Sequence, residues 1–154
     1  MFVANWGMLS TLCIRRVTQG DLHTVARQRY PELPPGHPAL AIYTTWLGDA
    51  LTRGVYLGWL DERDERVVAG VGLTLLEWGP TKGDPSPLRA RLVNVYTDPE
   101  YRRRGVAQAL LSHAIAEAES LGIRTLSLGT TDMARGLYEK LGFRSYASEM
   151  IKRG

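Results

Sequence analysis

Between Val106 and Leu121, apolar residues recur at helical spacing. Ala107, Leu110, Leu111, Ala114, Ile115 and Ala118 form one stripe, which predicts a helix from Gly105 that ends at Leu121-Gly122. An earlier segment, DLHTVARQRY, puts Leu22, Val25, Ala26 and Arg29 on a common helix face. Thr18 and Asp21 stand before it at capping-box spacing, with Asp in the Glu position. The proline-rich stretch Tyr30 to Pro38 stops this helix, and a second follows over Ala39 to Thr52, closed by Gly54. The period then drops toward two. Val55 to Leu60 and Val67 to Trp78 predict strands joined by the charged turn DERDER. Gly79 to Ala90 reads as an exposed connection, and Arg91 to Thr97 as a further strand. Thr11 to Val17 opens the pattern as a strand. Ile123 to Leu128 (strand), Asp132 to Leu141 (helix, closed by Gly142) and Phe143 to Ile151 (strand) complete it.

Strand and helix alternate in the second half, which argues for an α/β fold in which a helix crosses between strands of one sheet. The hairpin before it makes the sheet mixed. At 154 residues the chain is expected to form a single domain over residues 1–154, with residues 1–8 a loose N-terminal extension.

Composition narrows the picture slightly. The apolar fraction is 44% and the charged fraction 23%, ordinary for a soluble globular domain. MFVANWGML lacks the basic flank of a signal peptide, and no apolar run approaches the ~20 residues that span a bilayer. The expectation is a cytoplasmic protein with no membrane partner. Cys13 is the only cysteine, so no internal disulfide or cysteine-based zinc site forms; it lies in an apolar run and is expected in the core. No metal site is expected.

The candidate chemistry begins at YTDPEYRRRGVAQALL, Tyr96 to Leu111. Arg102, Arg103 and Arg104 crowd the start of a helix, whose N-terminus already carries partial positive charge. Either an anion binds there or the arginines point into water. The first N–H groups of that helix have no intrahelical acceptor, Gly105 lets a ligand approach the backbone, and Ala107 keeps the first turn small. R-x-x-G-x-A between strand and helix is therefore a coherent phosphate cradle. P-loop and dinucleotide glycine patterns are absent.

A second stretch, TTDMARGLYEKLGF, Thr131 to Phe143, adds weight. Together the two segments resemble the GNAT superfamily of acyl-CoA-dependent N-acetyltransferases. The family's Q/R-x-x-G-x-G/A pattern reads here Arg102-Arg103-Arg104-Gly105-Val106-Ala107, and L-Y-E-K-L-G-F reads Leu137 to Phe143. The resemblance implies a GNAT fold, a mixed central sheet flanked by about four helices, and acetyl-CoA as co-substrate. It implies that backbone groups of Val95, Tyr96 and Thr97 meet the acetyl and pantetheine groups, and that the N–H groups of Arg103 to Gln108 meet pyrophosphate. It also implies that Tyr138 protonates the departing thiolate, although a packed ring is the alternative. Asn commonly stands where this chain has Thr131; Thr131 or Asp132 either contacts pantetheine or caps the helix. The glutamate base that many members carry on the strand before the cradle is missing from RLVNVYT, which leaves Glu77, His37 or water to take the amine's proton.

For the acceptor, the resemblance points to Asn94, Arg135, Trp78 and Glu77, with either a small-molecule or a protein amine as acceptor. Asn94 and Tyr96 alternate onto one face, and Asn94 needs a polar partner in mid-strand. Tyr43 and Trp46 share a helix face and read as core. Two other readings stand beside this one. A non-catalytic acyl-CoA-binding module would keep the cradle. Nucleic-acid binding through Arg102–Arg104 lacks the basic, aromatic-interleaved stripe it needs, so no nucleic-acid partner is expected. Homodimers are common in the family, and no residue pattern here decides that point.

Overall fold

A computed structural model describes residues 13–146 and 148–154. The expected extension at residues 1–8, and Thr11 and Leu12 of the expected first strand, lie outside the described residues. Five strands form one sheet in chain order: β1 (Ile14–Arg16), β2 (Tyr56–Arg63), β3 (Arg66–Glu77), β4 (Leu88–Thr97) and β5 (Leu126–Ser127). The first four pair antiparallel, and β5 joins β4 in parallel, so the sheet is mixed as the pattern predicts. Four helices pack on it: α1 (Leu22–Arg29), α2 (Pro38–Arg53), α3 (Val106–Ser120) and α4 (Arg135–Lys140).

The two faces bury separate apolar clusters. Val25 and Ala26 of α1 and Leu40 and Leu47 of α2 pack on Tyr56 and Leu60 of β2. On the other face, Leu110, Leu111 and Ala114 of α3 pack on Trp59, Val71, Leu73 and Leu92, and Tyr138 of α4 joins them. Tyr56 and Leu60 face one side and Trp59 the other, as the period of two requires. Local signals set the helix ends. Thr18 and Asp21 form the capping box at the short 3-10 turn that leads into α1. The His37 ring accepts from Ala39 N–H to cap α2, and Gly54 closes α2 at φ 74°.

Several expectations are corrected. Only Asp64 and Glu65 of DERDER turn, at φ 49° and 62°, as a two-residue hairpin does; the other four residues extend the strands. Asp61 tolerates full burial there because the Arg63 guanidinium lies 2.9 Å away. β4 starts at Leu88, inside the expected connection, because the β3–β4 ladder runs on to Glu77↔Leu88. The connection itself is pinned: Asp84 accepts from Ser86 N–H and from the Thr125 hydroxyl. Cys13 is exposed at the sheet edge instead of buried. The expected strand over Phe143–Ile151 is absent among the described residues. Beyond Phe143, which packs on the core, the large apolar side chains Tyr146, Met150 and Ile151 are exposed, with no strand beside them to bury one face.

One irregularity organises the rest. The β3–β4 register slips between Gly70 and Gly72: Gly72 pairs with Val93, but Gly70 pairs with Tyr96. The extra residue makes a bulge, with Asn94 at φ 56°, a left-handed conformation that Asn accepts better than most residues. Tyr56 reaches Asn94 only because Gly72 has no side chain; a Cβ there would sit 2.1 Å from the Tyr56 hydroxyl.

Gly72→Ala is expected to destabilise the fold by about 1–3 kcal/mol through this overlap, whereas Gly83→Ala, whose Cβ meets nothing within 4 Å, should be nearly neutral. Urea midpoints of the two variants check the contrast. At the bulge, Asn94→Ala should cost more than Asn94→Gly, by about 1–2 kcal/mol, because only the alanine meets left-handed strain. Equal midpoints for that second pair would rule out backbone strain at Asn94.

Candidate active site

β5 pairs with β4 only at Ala90↔Leu126 and Arg91↔Ser127. Beyond Arg91, the β5-facing edge of β4 has no strand partner among the described residues, so a wedge opens along Leu92 to Thr97. Val95, Tyr96 and Thr97 lie on that free stretch. The Thr97 hydroxyl, on that stretch, is buried without a hydrogen-bond partner among the described residues. An orphaned buried hydroxyl costs about 1–3 kcal/mol unless something else pairs with it.

After β4 the chain turns through Pro99–Tyr101 into α3. Arg103 (φ 63°) and Gly105 (φ 75°) both take left-handed conformations, which curl the turn into a concave run of amides. The first backbone bond of α3 goes from Ala109 to Gly105. The N–H groups of Arg103 through Gln108 have no acceptor among the described residues. A Cβ built on Gly105 meets nothing within 4 Å, so the space above this cradle is open. The acids nearest in sequence are engaged elsewhere, since Arg66 takes both Asp98 and Glu100. Among the described residues, Arg102, Arg103 and Arg104 therefore have no carboxylate partner. Arg102 donates to Thr97 carbonyl oxygen at 3.2 Å, and Arg104 stacks over Tyr101. Six free amides, three guanidiniums without a carboxylate among the described residues and an unpaired hydroxyl on β4 suit a polyanion with a polar arm, which is the shape and charge of coenzyme A.

Tyr138 is 8% exposed and packs in the same apolar cluster as Val95, Val106 and Tyr101, edge-on to Phe143. Burial raises its phenol above the ordinary value, so the proton stays on through neutral pH. Its hydroxyl makes no hydrogen bond among the described residues. Thr131 and Asp132 act at the approach to α4. The Thr131 hydroxyl accepts from Ala134 N–H at 3.3 Å, and Asp132 is exposed beside Arg135 at 3.6 Å.

The residues expected to line an acceptor site do not all meet. Glu77 pairs with Leu88 and Trp78 bonds to Pro87, seven residues up β4 from Val95, which is about 23 Å along a strand. Trp78 stacks under Arg89 there. Arg135 is held by Asp132 and by the Ser145 hydroxyl at 2.7 Å. His37 is occupied as the α2 cap. Only Asn94 stands at the wedge, and its amide is committed internally. Nδ2 donates to the hydroxyls of Tyr43 (2.7 Å) and Tyr56 (3.0 Å), while Oδ1 accepts from Arg29 Nη1 at 2.9 Å. Burial holds both phenols above their ordinary value. Trp46, expected in the core, is partly exposed and forms a cleft wall beside Tyr43.

Two residues here escape the sequence reading as site residues. Arg29, on the α1 face, lies over the Tyr43 ring at 4.6 Å. Gln28 beside it is buried over Gly70, where a Cβ would come within 2.2 Å of its Oε1. The G-V-G run of β3 is the one sequence signal that could have pointed to both, since strand glycines mark close approach.

Comparison with known proteins agrees with this geometry. A GCN5-related N-acetyltransferase from Ralstonia eutropha JMP134 superposes with a TM-score of 0.80 at 35% identity, covering 92% of this chain and 97% of that one. A predicted acetyltransferase from Clostridium acetobutylicum, solved with acetyl-CoA, shares the fold with a TM-score of 0.85 at 19% identity, over 92% and 96% of the two chains. The ribosomal protein bS18-alanine N-acetyltransferase of Escherichia coli K12 is 46% identical over 57 residues, 35% of this chain and 38% of that protein. The match thus spans little more than a third of that curated relative. The acetyltransferase (GNAT) family model matches residues 21–143, well over half of the sequence, and the chain belongs to that family.

Proposed function

We propose that this protein is an acetyl-CoA-dependent N-acetyltransferase that moves an acetyl group to a primary amine by direct attack on the thioester. The observation that carries this reading is the run of six unpaired N–H groups from Arg103 to Gln108 beside the open edge of β4. In this reading those amides and Arg102, Arg103 and Arg104 hold the pyrophosphate of the coenzyme. The free edge at Val95, Tyr96 and Thr97 receives the pantetheine arm, with the Thr97 hydroxyl supplying one more polar contact. Thr131 and Asp132 shape the turn before α4, where the Thr131 hydroxyl accepts from Ala134 N–H. Acetyl-CoA, when bound, supplies the activated acyl group.

The protein's own groups then act on charge and protons. A backbone N–H on the Val95–Thr97 edge stabilises the negative charge that develops on the carbonyl oxygen. Tyr138 gives its proton to the departing sulfur; its raised pKa keeps that proton available at neutral pH. The cleft at Val95 is lined by Gln28, Arg29, Tyr30 and Asn94, with no carboxylate or imidazole. The acceptor amine therefore loses its proton to water before it attacks. A non-catalytic acyl-CoA-binding module would carry the same cradle; free thiol release from acetyl-CoA with a panel of amines separates the two, and none with any amine would leave the binding module.

Two outcomes test the residue roles. Gly105→Val should weaken acetyl-CoA binding, measured by calorimetry, more than Arg103→Ala does, because the valine occupies the space above the amides and strains the φ 75° turn. The reverse ranking would assign the phosphates to the side chains. Tyr138→Phe should lower kcat by about 10²–10⁴-fold with little change in acetyl-CoA affinity, as loss of a general acid does. Unchanged single-turnover rates would remove Tyr138 from the mechanism.

A further inference from the structure

The α1 side of the wedge holds a feature that acetyl-CoA binding does not use. Two open clefts, of about 280 and 360 Å³, share Arg29. The smaller one borders Val95, where the acyl group lies in the proposed reading. The larger runs past Tyr43 and Trp46 to Arg91. Neither Arg29 nor Arg91 has a carboxylate partner among the described residues, whereas Arg15, Arg53, Arg63 and Arg66 each do.

Arg29 is held without being neutralised. Its Nε donates to the Tyr30 hydroxyl at 3.1 Å and its Nη1 to Asn94 Oδ1 at 2.9 Å, and the guanidinium lies over the rings of Tyr43 and Tyr30. These bonds use two of the five N–H donors of a guanidinium. The remaining donors belong to a planar fork whose position is already fixed, which lowers the entropy lost when an anion docks. Gln28 adds an independent observation. It is 8% exposed, lines the smaller cleft, and has no hydrogen-bond partner among the described residues. Its amide opens to the cleft and is left to solvent, so a polar ligand seated there can complete it.

We propose that the acceptor is a small amine carrying an anionic group, carboxylate or phosphate, which pairs with Arg29 and Arg91 while its amine lies against Gln28 beside Val95. The proposal rests on the acetyltransferase reading for its chemistry, but the binding preference stands on the clefts alone. Polycationic amines are disfavoured by the same two guanidiniums. The ammonium first loses a proton to water; the nitrogen then gains the acyl carbon as the carbon–sulfur bond breaks. The sulfur leaves as the thiol with the proton of Tyr138, and the second proton of the nitrogen passes through solvent to restore Tyr138.

The full chain, saturated with coenzyme A, is titrated calorimetrically with matched ligands: β-alanine against β-alaninamide, O-phosphoethanolamine against ethanolamine, and spermidine. In at least one pair the anionic member should bind about tenfold tighter or more, a difference of about 1.4 kcal/mol; the pair that shows it identifies the anion. Spermidine should bind most weakly. Arg29→Gln should reduce the anionic preference toward unity, and Arg91→Gln, which lies outside the tyrosine–asparagine network, should reduce it even if Arg29→Gln fails to fold. Members without the anionic group binding as tightly as those with it, or a preference unchanged in Arg91→Gln and in folded Arg29→Gln, overturns the proposal. Thiol release from acetyl-CoA with the same ligands reads the other question. Anionic ligands that bind with the expected preference but release no thiol leave the acceptor site standing and remove the transfer reaction. Faster release with the members that lack the anionic group removes this proposal and keeps the transferase.

Discussion

The extra residue in β4 at Asn94 is the constraint on which the site depends. Its left-handed backbone breaks the register with β3 between Gly72 and Gly70. A bulge bends its strand and increases local twist. β5 has already parted from β4 after Arg91, so past the bulge the β5-facing edge of β4 still has no strand partner among the described residues. The same residue ties α1 and α2 to the sheet, because one amide serves Arg29, Tyr43 and Tyr56 together. A strand irregularity that would otherwise weaken the ladder is thus stabilised by three side-chain hydrogen bonds, two of them to phenols on the buried face. Those bonds also fix the wall of the proposed acceptor cleft.

The second constraint is electrostatic. Three arginines at a helix N-terminus repel one another and the helix dipole. The structure does not relieve this internally: Arg66 occupies the neighbouring acids, and six backbone N–H groups remain open. The result is a concentrated positive site at the end of the wedge. Arg29 and Arg91 make a second on the α1 side of the sheet. The arginines at these two places are uncompensated, whereas several surface arginines are paired, so positive potential gathers along the proposed path of the reactants.

Much of the fold could be read from periodicity. The stripe of α3, the capping box at Thr18 and the glycine closures after α2 and α3 all follow from residues within a few positions of one another. The last strand failed this test. Phe143 to Ile151 has apolar residues at suitable intervals, but a strand exists only where another strand accepts its hydrogen bonds, and none does so here among the described residues. DERDER reads as a turn by charge alone, yet Asp61 is buried because Arg63 compensates it within the sheet.

The sequence by itself pointed to the proposed coenzyme side. A cradle made of consecutive backbone amides is local, so Arg102 to Gln108 reads from spacing as a candidate phosphate cradle, and the second motif, Leu137 to Phe143, adds the family resemblance. The acceptor side was decided only by tertiary structure. Arg29 meets Asn94 across 65 residues of chain, and Gln28 lies over Gly70 because a glycine in another element leaves room. Glu77 and Trp78, plausible by residue type, end at the far end of the ladder because register, which no local pattern encodes, puts them beside Leu88. Backbone chemistry acts over a few residues and is written in order along the chain; a side-chain pocket is assembled from distant elements, and its membership is fixed only when they pack.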